Sequence, residues 1–207
     1  EPLVTAKDMF SHRVSILTGH YGTGKTEVSV NLALALAAEG EQVMLADLDI
    51  VNPYFRSRER RPLLEKAGVR VISSSQACSD ADVPALPAEL LTILENREIR
   101  GILDIGGDPV GARVLARFQP KIVQEDYQLI FVLNANRPEV RDAESAAAYL
   151  RSIEAVTGLT CSGLVNNTHL CGETTPAEIR KGVALAQEVS RQTGIPILCH
   201  TAEDRKS

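Results

Sequence analysis

Apolar residues in this chain arrive in short unbroken runs. Between the runs lie longer stretches in which apolar residues return every third or fourth position. The runs predict β-strands at 13–18, 42–46, 69–72, 101–105, 129–133, 163–166 and 196–199. The stretches predict helices over 25–39, 56–67, 86–97, 110–118, 139–157 and 176–193. Most of the strand runs are continuous rather than alternating, which requires both sheet faces to be covered. The expected fold class is therefore α/β, a doubly wound, mostly parallel β-sheet with helices on both faces, three layers (α/β/α) in all. No repeat, linker or low-complexity tract interrupts the alternation. Residues 1–207 are read as a single domain, with 1–12 as a flexible or peripheral segment ahead of the first strand. Ligands of such sheets bind beyond the carboxyl ends of the strands, so the polar residues there matter most.

The first strand runs directly into Gly19-His20-Tyr21-Gly22-Thr23-Gly24-Lys25-Thr26, a full match to G-x-x-x-x-G-K-S/T. Glycines let the backbone curl so that successive N–H groups surround phosphate oxygens. Lys25 reaches the β- and γ-phosphates, and the Thr26 hydroxyl is placed for Mg²⁺. The helix that follows adds its positive dipole end. The whole octapeptide is assigned to nucleotide binding, with Lys25 also catalytic.

Three further strand ends carry polar groups. Asp47 and Asp49, one residue apart after the second strand, could align an attacking water and support Mg²⁺, because phosphoryl transfer depends on positioning and charge neutralisation. Both are assigned as catalytic and Asp49 also as a metal group. The fourth strand ends at Asp104, expected to hold Mg²⁺. Asp104-Ile-Gly-Gly107 fits D-x-x-G, in which the Gly107 N–H senses the γ-phosphate. Asp108-Pro109 reads as the start of the next helix. After the sixth strand, Asn166 and Asn167 are candidate base readers, since an amide both donates to and accepts from an adenine edge. A guanine-reading N-K-x-D would need Lys and Asp where Asn167 and His169 stand, so adenine is favoured.

Composition changes this picture little. The apolar fraction of 44% and charged fraction of 24% are ordinary for a globular protein, and no apolar run is long enough to span a bilayer. Glu1 to Asp8 has neither the basic start nor the apolar core of a signal peptide, and the missing initiator Met is expected to reflect processing. A net charge of −5 argues against nucleic acid as the main partner, although Arg56, Arg58, Arg60 and Arg61 form a local basic cluster. Cys78, Cys171, Cys161 and Cys199 form no C-x-C or C-x-x-C pair. That spacing suits a reducing cytoplasm, the expected location, and gives no support for a zinc or iron–sulfur site.

With the P-loop, Asp47-x-Asp49, the Asp104 strand and Gly163-Leu-Val-x-Asn167 in place, the chain resembles the MinD/ParA-like, deviant-Walker-A (SIMIBI) P-loop ATPases over most of its length. Asn134-Ala-Asn-Arg-Pro138-Glu139 through Asp142 is similar to the stretch after that family's fifth strand. Gly19 to Glu27 is similar to the loop of a set of small ATP-binding members. The resemblance implies ATP and Mg²⁺ as cofactors, slow hydrolysis, an ATP-dependent homodimer and an unidentified protein or small-molecule client. The chain departs from the family at His20, where a signature Lys would fall, and at Tyr21, where a Gly would; the departure argues against that Lys's form of dimer activation unless protonated His20 or an Arg replaces it. It ends without a membrane-seeking helix and lacks the paired cysteines of metal-carrying members. The leading expectation is a Mg²⁺-dependent slow ATPase acting as a nucleotide switch. The alternatives are an ATP-dependent carboxylate-activating enzyme of the dethiobiotin synthetase type, with the 56–61 arginines holding an anion, and a partition-type DNA-binding module.

Overall fold

The computed structural model describes residues 4–48, 57–73, 88–140, 142–168 and 175–201. Seven strands are resolved among them: β1 Val14–Thr18, β2 Val43–Asp47, β3 Arg70–Ser73, β4 Arg100–Asp104, β5 Tyr127–Leu133, β6 Cys161–Asn166 and β7 Ile197–His200. They form one sheet in the order β3-β2-β4-β1-β5-β6-β7, and every pairing is parallel. Each strand run read from the sequence is a strand. The reason is visible in the burial pattern, since β1, β2 and nearly all of β5 are buried at every position.

Alternate residues of the strands feed two cores. On one face Leu17, Leu45, Ile102, Ile130 and Val132 pack with Val28, Leu32 and Leu36 of α2 (Lys25–Ala38) and Leu64 of α3 (Ser57–Lys66). On the other, Ile16, Leu103, Leu129 and Phe131 pack with α4 (Ala88–Glu95), α5 (Pro109–Ile122), α6 (Ala143–Thr157) and α7 (Pro176–Thr193). The result is the three-layer α/β/α arrangement expected of the pattern. The connection from β1 leaves through α2 on one face toward β2. That from β4 crosses on the opposite face through α5 to β5. A crevice therefore opens where β1 and β4 end, the topological switch point of the sheet.

Beyond shifts of one or two residues at the ends of other elements, among them β3, β5 and α4, three differences from the sequence reading bear on the packing. A short helix α1 (Ala6–Met9) precedes β1. Its N-cap Thr5 and Asp8 form a reciprocal capping box, the Ala6 N–H donates to Glu39, and Phe10 is buried against the α2 core. The segment ahead of β1 is thus docked at its helix, although it lies at the periphery. Helix α5 runs past Pro120 to Ile122, because one lost N–H at the last turn costs less than leaving Ile122, which is 1% exposed, outside the core. Helix α6 starts at Ala143, not 139. The Asp142 carboxylate accepts from the Ser145 N–H at 2.7 Å, and a 3-10 turn at Pro138–Val140 lies ahead of it.

Candidate nucleotide site at the carboxyl ends of β1 and β4

The loop 19–24 leaves β1 and delivers Gly24 in a left-handed conformation (φ 78°) as the N-cap of α2. Gly22 (φ 77°) also needs this region, which side chains rarely adopt. Inside the loop, the Thr23 N–H and hydroxyl both donate to the His20 carbonyl, at 3.3 and 3.0 Å. Tyr21 stands at the tip with 73% of its surface exposed. With no side-chain cap on α2, its first N–H groups face the crevice, an arrangement suited to an anion.

β4 lies directly beside β1, with Asp104 in register with Leu17. That adjacency brings three predicted residues to one point. The Lys25 ammonium lies 2.9 Å from Asp104 Oδ1, and the Thr26 hydroxyl donates to Oδ2 at 2.7 Å. The carboxylate is 1% exposed and Lys25 6%. A sealed ion pair of this kind is costly to desolvate and depends on both partners being present. Asp47 is buried in β2, in register with Asp104 on its neighbour strand. Asp49, assigned as catalytic and metal-binding, lies outside the described residues. The Thr26 hydroxyl and the Asp104 carboxylate are hard oxygen donors side by side, a set that fits Mg²⁺. Among the described residues there is no cluster of three or more His, Cys, Asp or Glu suited to a metal ion.

Gly107 closes the crevice from the β4–α5 loop. Its N–H donates to the Gly19 carbonyl at 3.2 Å and its own carbonyl accepts from the Tyr149 hydroxyl at 2.6 Å. A Cβ at 107 would come within 2.7 Å of either partner, so only glycine fits. The Tyr149 ring in turn stacks on His20, with centroids 3.5 Å apart and planes inclined by 20°. Burial raises the Tyr149 phenol above its ordinary value, the Asp108 carboxylate adds to this and Lys25 opposes it. Asp108 caps α5 through the Val110 and Gly111 N–H groups, as its position before Pro109 suggests.

The loops after β5 and β6 grip the phosphate loop from outside. Arg137 Nε donates to the Gly22 carbonyl at 2.6 Å, and Asn167 Nδ2 donates to the Thr23 carbonyl at 2.8 Å. Asn167 also accepts from the Thr201 hydroxyl. Asn166 Oδ1 accepts from the Thr168 hydroxyl, and Asn166 Nδ2 meets His200 Nδ1 at 2.9 Å. Both amides expected to read a base thus serve the chain's own loops in this structure. Arg137 and Tyr149 were given no role by the sequence. Arg137 lies in the 134–142 stretch that resembles the family, the one signal that could have found it, whereas nothing marks Tyr149, which reaches the site only through the packing of α6.

A family model for ParA, described as NUBPL iron-transfer P-loop NTPase, matches residues 9–58, the stretch that holds this loop. The cytosolic Fe-S cluster assembly factor cfd1 of Emericella nidulans is 36% identical over 95 residues, 46% of this chain and 26% of that one. The iron-sulfur cluster carrier protein of Escherichia coli is 50% identical over 40 residues, 19% and 11% of the two chains. Over that stretch the chain is similar to the MinD/ParA-like P-loop NTPases. The matched stretch spans about a quarter or less of the length of these curated relatives. In fold, the chain superposes on the nucleotide-binding protein in complex with ADP from Archaeoglobus fulgidus with a TM-score of 0.57. That likeness is at 17% identity and covers 98% of this chain and 88% of the other. No described helix of the chain is long and apolar enough to cross a membrane.

Proposed function

We propose that this chain is a Mg²⁺-dependent ATPase that acts as a slow, nucleotide-controlled switch in the cytosol. The observation that carries the reading is the single buried carboxylate of Asp104, held by the Lys25 ammonium on one oxygen and the Thr26 hydroxyl on the other. A polyphosphate in the loop offers Lys25 a second anion. The ammonium can then exchange Asp104 for phosphate, which releases Oδ1. Mg²⁺, held by Thr26 and Asp104, would supply charge neutralisation at the phosphates. Asp47, with Asp49 beyond it, would orient the water. The Gly107 N–H, now on the Gly19 carbonyl, would turn toward the γ-phosphate, and that movement is the switch. Adenine is favoured by the lack of the guanine-reading Lys and Asp at 167 and 169. The compartment is the one in the name of the cfd1 relative.

Both relatives are named for iron–sulfur clusters, but cluster carriage is not proposed for this chain. Its cysteines form no close pair in sequence. Cys161 and Cys199 sit in β6 and β7, with burial pushing the Cys161 thiol up to about 12 and raising that of Cys199. A thiol so disfavoured as thiolate is a poor metal ligand. Cys78 and Cys171 lie outside the described residues. The carboxylate-activating alternative loses cations, since Arg60 pairs with Glu27 at 3.3 Å and Arg61 with Glu65 at 2.8 Å. Calorimetry with MgATP tests the reading, with binding expected for the wild type and none for Lys25→Ala. Equal affinities would remove Lys25 from the site.

A further inference from the structure

The exposed guanidinium of Arg137 is a second cation at the phosphate loop, and it sits where the loop is weakest. Gly22 has no side chain and a left-handed backbone, and inside the loop the Gly22–Thr23 peptide is held by a long bond, 3.3 Å from the Thr23 N–H to the His20 carbonyl. Arg137 fills the space of the missing side chain. A Cβ on Gly22 would lie 2.7 Å from Cζ and 2.9 Å from both Nε and Nη2. The contact is also a short charge-assisted hydrogen bond, 2.6 Å from Nε to the Gly22 carbonyl. Its Nη donors make no hydrogen bond or ion pair with the described residues. The side chain is aimed by a built turn. The Arg137 N–H donates to the Asn134 carbonyl at 3.1 Å, the Asn136 N–H to Asn134 Oδ1 at 3.0 Å, and Pro138 fixes the following backbone.

We propose that Arg137 is a positioning residue for a bound nucleoside polyphosphate. In a trans peptide the C=O and N–H point in opposite directions. Holding the Gly22 carbonyl on the outer side of the loop therefore keeps the Thr23 N–H on the inner side, where it now rests on the His20 carbonyl at 3.3 Å. A full charge on the oxygen polarises the same peptide and makes that N–H a stronger donor to phosphate. Asn167 does the same for the next peptide through the Thr23 carbonyl, without a charge. The guanidinium also adds, at the Gly22 carbonyl, a positive charge to the loop that precedes Lys25, for a multiply charged anion.

The inference rests on the nucleotide reading above, and the test separates the two. Calorimetry with MgATP is run on wild type, Arg137→Ala and Arg137→Lys at two salt concentrations. Loss of one charged hydrogen bond should weaken Arg137→Ala by about ten- to a hundredfold. Arg137→Lys should recover part of the loss, because it keeps the charge and one donor. The affinity of Arg137→Ala should also fall less steeply with salt than that of the wild type. The nucleotide-free melting temperatures of all three should coincide. If wild type binds and Arg137→Ala binds equally well, the inference is overturned and the nucleotide reading stands. A loss that Lys does not relieve, with a lowered nucleotide-free melting temperature, would make Arg137 a structural residue only. Failure of the wild type to bind any nucleotide would overturn both.

Discussion

Replacing Asp104 by Asn leaves shape and the acceptor for Thr26 intact but removes the charge opposite Lys25. The ammonium is then sealed at 6% exposure with a neutral amide where it had a carboxylate oxygen at 2.9 Å. Breaking a buried pair by removing one partner costs about 3–5 kcal/mol, and the retained Thr26 bond places this case near 3 kcal/mol. For a chain of 207 residues each kcal/mol is worth about 2–4 °C, so the nucleotide-free protein should melt about 6–12 °C lower. Circular dichroism melts in chelator measure this directly. Adding ATP without metal should narrow the gap between wild type and variant, since the phosphates give Lys25 a new counter-charge. A cycle with Lys25→Met isolates the pair, with a coupling of about 2 kcal/mol or more expected from groups in direct contact. A nucleotide-free melting temperature within about 2 °C of wild type would refute the claim that Asp104 is the resting partner of Lys25.

Two further outcomes follow from the same geometry. In Gly24→Ala the new Cβ meets Asn167 Nδ2 and the left-handed backbone is strained. The strain is worth about 1–2 kcal/mol, so the variant should melt about 2–8 °C lower. It should also bind MgATP at least about tenfold more weakly, as a loop donor is misplaced; wild-type calorimetry would contradict the role given to Asn167. The Tyr149 phenol is raised above its ordinary value of 10.0, so its folded form favours the protonated hydroxyl. Whatever stability that hydroxyl adds is fully present below pH 10 and is lost as pH rises through the higher folded value. Denaturation of wild type and Tyr149→Phe from pH 8 upward should show a stability gap that is constant at first and closes above pH 10. A gap that widens there would reverse the assignment.

The strands and the phosphate loop were legible because they are local. A buried parallel strand needs a continuous apolar run, and the loop needs its glycines and Lys25-Thr26 in sequence. The pairing of Lys25 and Thr26 with Asp104 followed once β1 and β4 were known to be neighbours, which the motif implies but periodicity does not. Arg137 and Tyr149 were not legible. Tyr149 lies in mid-helix and Arg137 in a turn, and both matter only because α6 and the β5 loop fold over residues 19–22. The short helix α1 offered just its Thr5–Asp8 capping box, too little for four residues to stand out. The two asparagines after β6 present an ambiguity of residue type. Their residue type suits a base edge equally well as a loop carbonyl, and only the fold decides which is nearer.

The glycines at the far end of the sheet offer a practical use. Gly40, Gly68 and Gly194 terminate α2, α3 and α7, and space is open around each for at least 4 Å. The strands that follow them begin at the amino-terminal pole, and five residues of parallel strand put that pole about 17 Å from the phosphate loop. A fluorescent reporter or affinity peptide inserted at these turns would be insulated from the nucleotide by the whole height of the sheet. The protein can thus be tethered, labelled or pulled from one end while its chemistry is watched at the other.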